Sequence, residues 1–171
     1  MAAEPLLEFP QVCLELASFL GAFAASGAVG FRFTLRGALA GGGVSPEARA
    51  GIPGMAARSA RLGLAGLGLA AVLLAFRLPA LAVRRHATVA HLLTTDPALI
   101  LQVTLLARAL VGFALAATRR DLGWVLAGVA VLGLPLRGLV TGDPLRLVNP
   151  VHVLAGGLWI GTLCHLWFFG I

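Results

Sequence analysis

Runs of about 20 apolar residues, met five times along 171 positions, constrain this chain more than any other feature. At 1.5 Å per residue such a run is as long as the hydrocarbon core of a bilayer is thick. The runs lie at roughly 11–31, 61–81, 98–118, 122–140 and 150–170. They lack the strict alternation of a membrane β-strand. In lipid every backbone polar group needs an internal partner, which favours helices. The expected fold is therefore all-α: one polytopic transmembrane bundle of about five spanning helices over residues 1–171, with no second domain.

Composition closes the soluble alternative. A soluble domain is about 45–50% apolar and about 25% charged. This chain is 59% hydrophobic and 12% charged, too little polar surface for a solvated shell. Its net charge of +6 sets thirteen arginines, with no lysine, against seven acidic residues. The arginines sit singly or in pairs at the ends of apolar runs and form no basic stripe, so nucleic acid is not an expected partner. The lipid bilayer is.

Helix starts are marked in two places. Asp96-Pro97 and Asn149-Pro150 each put a capping side chain before a proline suited to the first helical position. The stretch 37–60, with Gly41-Gly42-Gly43, Pro46 and Pro53, reads as a flexible cytoplasmic loop with at most a short interfacial helix. Ser26 and Gly30, then Gly157 and Gly161, have the spacing that lets helices approach closely. Trp159 is expected to pack on the same helix.

Orientation follows from arginine distribution. Arg32, Arg36, Arg49, Arg58, Arg61, Arg119 and Arg120 share one side, while Arg84, Arg85 and Arg146 share the other with the acidic N-terminus. This predicts an outside N-terminus and a cytoplasmic C-terminus. Glu4 and Glu8 stand where a signal peptide would be basic, so the first run is expected to be a retained span. Cys13 and Cys164 fall near opposite faces, and no disulfide between them is expected.

Polar groups that could carry chemistry gather at the predicted outer side: His86, His91, His152, Asp96, Asp143, Glu15 and Cys13. Imidazole and thiolate suit copper, and carboxylates can complete such a site. His152 would open the last helix, where the helix dipole favours the neutral, ligating ring. His86 and His91 are five apart and do not share a helical face. His165 lies thirteen residues beyond His152, about 20 Å down one helix, so the two cannot share a metal. Arg108 is central in its run. A charge there costs at least about 2.5 kcal/mol, so it should face the bundle, with Glu15 as its structural ion-pair partner. No nucleophile–base set or zincin motif suggests an enzyme, and no catalytic residue is assigned.

The second half carries a recognisable order. Leu92-Leu93-Thr94-Thr95 leads into the helix with Arg108. A Leu-rich hairpin follows, then Leu139-Val140-Thr141-Gly142, and then His152 to Gly161 with Gly156-Gly157 and Trp159-Ile160-Gly161. Over roughly 60–170 this resembles the copper resistance protein D family of bacterial inner-membrane proteins. That family shows a Leu-Thr-Thr stretch, a helix arginine, a Thr-Gly-His turn and a His followed by Trp-x-Gly. Asp143 stands where the family has its turn histidine, and the family continues for further spans. The resemblance implies copper reception or transport at the outer face, with His152, Asp143 and His91 as the metal set and a periplasmic copper carrier as partner. The alternative is a non-catalytic accessory subunit of a larger respiratory or photosynthetic membrane complex. A b-type haem protein ranks last, because His152 has no matched histidine on a second helix.

Overall fold

A computed structural model describes residues 9–136, 140 and 145–169 of the chain, with side chains over 12–136, at 140 and over 151–169. The described residues are helical apart from short turns. The helices are α1 (Phe9–Ala40), α2 (Pro46–Arg84), α3 (Val89–Thr95), α4 (Pro97–Ala117), α5 (Asp121–Gly133) and α6 (Leu145–Phe169), with a 3-10 turn at Leu134–Leu136 closing α5.

Four helices are long and apolar enough to cross a membrane: α1, α2, α4 and α6. The fourth expected span is shorter. It runs over Asp121–Leu136, roughly 24 Å of helix against a core of about 30 Å. Pro135 lies in its 3-10 turn, where its missing N–H would break an α-helix.

Helix starts follow local chemistry. Asp96 accepts from the N–H groups of Ala98 and Leu99, with Pro97 opening α4. Ser45 accepts from Ala48, with Pro46 opening α2. That cap corrects the loop expected at 37–60. Helix α1 runs to Ala40 and α2 starts at Pro46, leaving only 41–45 as connection. The prolines that suggested a loop are compatible with helix: Pro46 sits in the first turn, and Pro53 is carried inside an Ala-rich segment of strong helix formers. The second cap expected from sequence is also displaced. Helix α6 starts at Leu145, so Asn149-Pro150 lies within it.

Successive spans are antiparallel, and α6 returns parallel to α1. Helix α1 meets α2 from Glu15–Arg77 at one end to Leu35 and Ile52 at the other. Gly63 faces Phe113 between α2 and α4, and Gly112 faces Ala127 between α4 and α5. Along α1 and α6, Gly157 meets Ser26, Gly161 meets Gly27 and His165 meets Phe31, in the same order on both helices. The molecule thus has a first end (residues near 31–61, 118–124 and 165–169) and a second end (near 12–15, 77–102 and 152).

The main core is small-residue packing: Ala25, Ala28, Ala60, Ala109, Ala127 and Ala130 around Leu67 and Phe113. Without a hydrophobic driving force in lipid, such close backbone approach is what holds helices together. At the first end, Phe31, Leu35, Ile52 and Ala56 repeat at helical spacing and join the α1–α2 hairpin, with Trp124, Leu166 and Phe169 against them. Helix α2, at 39 residues or roughly 58 Å, is much longer than a bilayer core, so this hairpin extends beyond the spans.

Candidate functional site

The second end holds an open cavity of about 810 Å³ between α2, α3 and α4. Arg77, Arg84, Arg85, His91, Asp96 and Gln102 supply its polar lining. Each is positioned by its helix. Arg77 and the Arg84–Arg85 pair close α2. Thr88 caps α3 by accepting from the N–H of His91, and Asp96 caps α4. Asp96 also lies 3.9 Å from Arg85. Three arginines line it with one carboxylate, and Arg77 is also paired to Glu15, so the field of this cavity still favours an anion over a cation.

His91 lines this cavity and is exposed, as is His152 on α6. Because α6 starts at Leu145, His152 is two turns inside the helix, beyond the reach of the dipole effect expected for it. Asp143 lies outside the described residues. Among the described residues no three His, Cys, Asp or Glu side chains gather closely enough to hold a metal ion. Cys13 and Cys164 are free thiols.

His86 plays a backbone role. Its φ of 49° places it in the left-handed region at the end of α2. Its N–H bonds Val83, and the next N–H, of Ala87, reaches back to Ala82, the pattern of a Schellman cap. Arg119 does the same after α4, with φ of 66° and bonds from Arg119 to Ala116 and Arg120 to Leu115. Glycine is the usual residue at that position.

The ion pair expected between Glu15 and Arg108 is not formed. Glu15 pairs with Arg77 at 3.0 Å, near the second end of the α1–α2 seam. The reason is reach: Arg108 is eleven residues into α4, roughly 16 Å from its start, whereas Arg77 is one helix away at matching depth. Arg108 is instead exposed on the outward face of α4, with Ile100, Val111 and Ala114. Among the described residues it has no ion-pair partner.

Helix packing on α6 divides by face. Gly157 and Gly161 are buried against α1, where a Cβ on Gly157 would stand 2.8 Å from Ser26 Cβ and one on Gly161 would stand 2.7 Å from Gly27 Cα. Trp159, expected to pack, is 73% exposed on the opposite face. Positions 157 and 161 are one turn apart on one stripe, and 159 is half a turn off it.

Sequence reasoning missed a cluster at the first end. Arg32 donates to Asp121 at 2.7 Å, and its guanidinium lies 5.8 Å from the Trp124 ring centroid. Trp124 in turn meets Phe113 edge-on at 5.9 Å. The two partners are 89 residues apart in sequence, so only the antiparallel path of α1 and α5 brings them together. The available signal was the pairing of an arginine at one span's end with an aspartate opening another on the same predicted side. No family model matches the chain, and no curated protein or solved structure matches it either.

Proposed function

We propose that the chain is a non-catalytic subunit of a larger integral-membrane assembly, docked to a neighbour through the outward face of α4. The observation that carries this reading is Arg108. It stands at the middle of a 21-residue span, exposed, with no ion pair among the described residues. Exposure to hydrocarbon at that depth costs at least about 2.5 kcal/mol, which a carboxylate or carbonyl of a neighbouring helix offsets. A second copy is a poor neighbour, because a twofold contact through this face brings arginine toward arginine.

Site-specific photo-crosslinking from Val111 in native membranes tests the reading. A discrete adduct with a different chain, lost in Arg108→Leu, is the expected result. The isolated Arg108→Leu chain should keep its helicity and thermal stability. If Arg108→Leu unfolds the isolated chain, the arginine serves its own bundle and the docking reading fails.

Copper reception remains the competing reading, supported by the motif from His152 to Gly161 and by the accessibility of His91 and His152 to a carrier. The arginine distribution supports placing the first end in the cytoplasm and the second end outside a bacterial inner membrane. Copper titration of the wild type, His152→Ala and His165→Ala separates the two readings. Binding lost only in His152→Ala favours copper reception, and no binding by any of the three favours the subunit.

A further inference from the structure

We propose that the first end of the molecule binds one anionic phospholipid, its phosphate held by Arg32, Arg49 and Arg119 and an acyl chain lying between α1 and α5. Two adjoining cavities carry the proposal. The first, of about 490 Å³, opens between α1, α2 and the α4–α5 turn. Arg32, Arg49 and Arg119 line it against a single acid, Asp121, with Trp124 beside them. Asp121 is already engaged by Arg32. It accepts from only one of the five guanidinium donors, and Arg49 and Arg119 have no ion pair among the described residues. The cavity therefore has cationic donors in excess of acceptors.

The second cavity shares Arg32 and Trp124 with the first and is mostly apolar. It is a groove of about 200 Å³ lined by Val29, Val125, Gly128, Val129 and Leu132, with Arg36 at the same end as Arg32. From Trp124 to Leu132 it follows α5 for roughly 12 Å toward the middle of the bundle. There is room beside Gly128: a Cβ there would meet only Val29 Cγ1, at 3.9 Å.

A cationic cup joined to a hydrocarbon groove matches one chemistry, a phosphate with an attached acyl chain. A free anion would leave the groove unfilled, and an acidic peptide has no reason to run into the membrane core. A zwitterionic headgroup would bring its own cation among the arginines, so the net-anionic headgroup is preferred. Position agrees as well. Arg119 follows the last residues of α4 and Asp121 opens α5, so the cup lies where a span leaves the bilayer, and an indole is at home at that level. Arg119 also sits in the left-handed conformation where glycine would be cheaper, so its side chain is retained at a backbone cost.

Native mass spectrometry of the purified full chain, delipidated and then offered phosphatidylglycerol or phosphatidylcholine, tests the site. The wild type should retain phosphatidylglycerol preferentially. Arg49→Gln and Arg119→Gln alter exposed side chains and leave the bundle intact; each should weaken that preference about fivefold. Gly128→Leu should fill the groove and displace the lipid while both arginines remain. Equal retention of the two lipids by the wild type, or unchanged preference in the double arginine variant, would overturn the proposal. So would inorganic phosphate that competes as well as the lipid in the wild type and in Gly128→Leu alike, which would mark a free-anion site.

Discussion

Gly27 and Gly161 meet backbone to backbone: a Cβ on Gly27 would stand 2.6 Å from the Gly161 carbonyl carbon, and one on Gly161 would stand 2.7 Å from Gly27 Cα. Neither side has a flexible atom that could yield. Gly161→Ala should therefore separate α6 from α1 and cost about 1–3 kcal/mol, the usual range for overpacking. Gly68, also in a helix, faces open space, and Gly68→Ala should be neutral or stabilise by up to about 1 kcal/mol. Thermal melts of both variants in one detergent check the contrast.

Much of the fold was legible in sequence because lipid imposes it. Span length, the Asp96-Pro97 cap and the small-residue pairs Ser26/Gly30 and Gly157/Gly161 each express a local rule, and the last two pairs meet across one seam. The 37–60 stretch departs from the expected loop because Gly and Pro signal turns only when their neighbours do not favour helix; here the alanines and the Ser45 cap confine the break to 41–45. The candidate site was far less legible. Which carboxylate meets which arginine depends on depth and helix rotation. Glu15 finds Arg77, and Asp121 finds Arg32, through pairings that no local spacing encodes.

The Glu15–Arg77 contact leads to a double-mutant prediction. Both side chains are partly exposed, so their coupling energy should be at most about 1 kcal/mol. Glu15→Gln and Arg108→Leu should instead be additive within about 0.5 kcal/mol, since they share no partner. Coupling between Glu15 and Arg108 above that value would restore the ion pair expected from sequence.

The two left-handed cap residues make a second stability test. At His86 and Arg119 an L side chain is held at positive φ, a conformation costing roughly 1–2 kcal/mol that glycine avoids. His86→Gly and Arg119→Gly should each raise stability by about 1 kcal/mol, read as a higher melting temperature. Arg119→Gly should do so while weakening lipid retention, which separates the structural and binding roles of that residue.

Orientation has a direct probe in Cys13, a free and exposed thiol near the start of α1. In a Cys164→Ser background, a membrane-impermeant maleimide applied to intact cells should label Cys13. Labelling only after the inner face is exposed would invert the arginine-based topology and move the proposed lipid site to the outer leaflet.

His165 distinguishes polar from aromatic packing inside the bundle. It is 1% exposed, its Nδ1 donates to the Gly161 carbonyl at 2.7 Å, and its ring centroid lies 6.0 Å from that of Phe31 and 5.6 Å from that of Phe169. Its Nε2 is buried without a partner among the described residues. An orphaned polar atom costs about 1–3 kcal/mol, while the Nδ1 bond contributes about 1 kcal/mol, so polarity is a weak reason for this residue to be here. Ring volume is the stronger one. His165→Ala should leave a cavity and cost about 2–4 kcal/mol. His165→Phe removes the orphaned atom, keeps the ring contacts with Phe31 and Phe169, and should cost less than about 1.5 kcal/mol. Chemical denaturation in a fixed micelle composition gives the order. If the phenylalanine variant is as damaged as the alanine one, the Nδ1 bond to Gly161, and not ring volume, is what holds this residue in place.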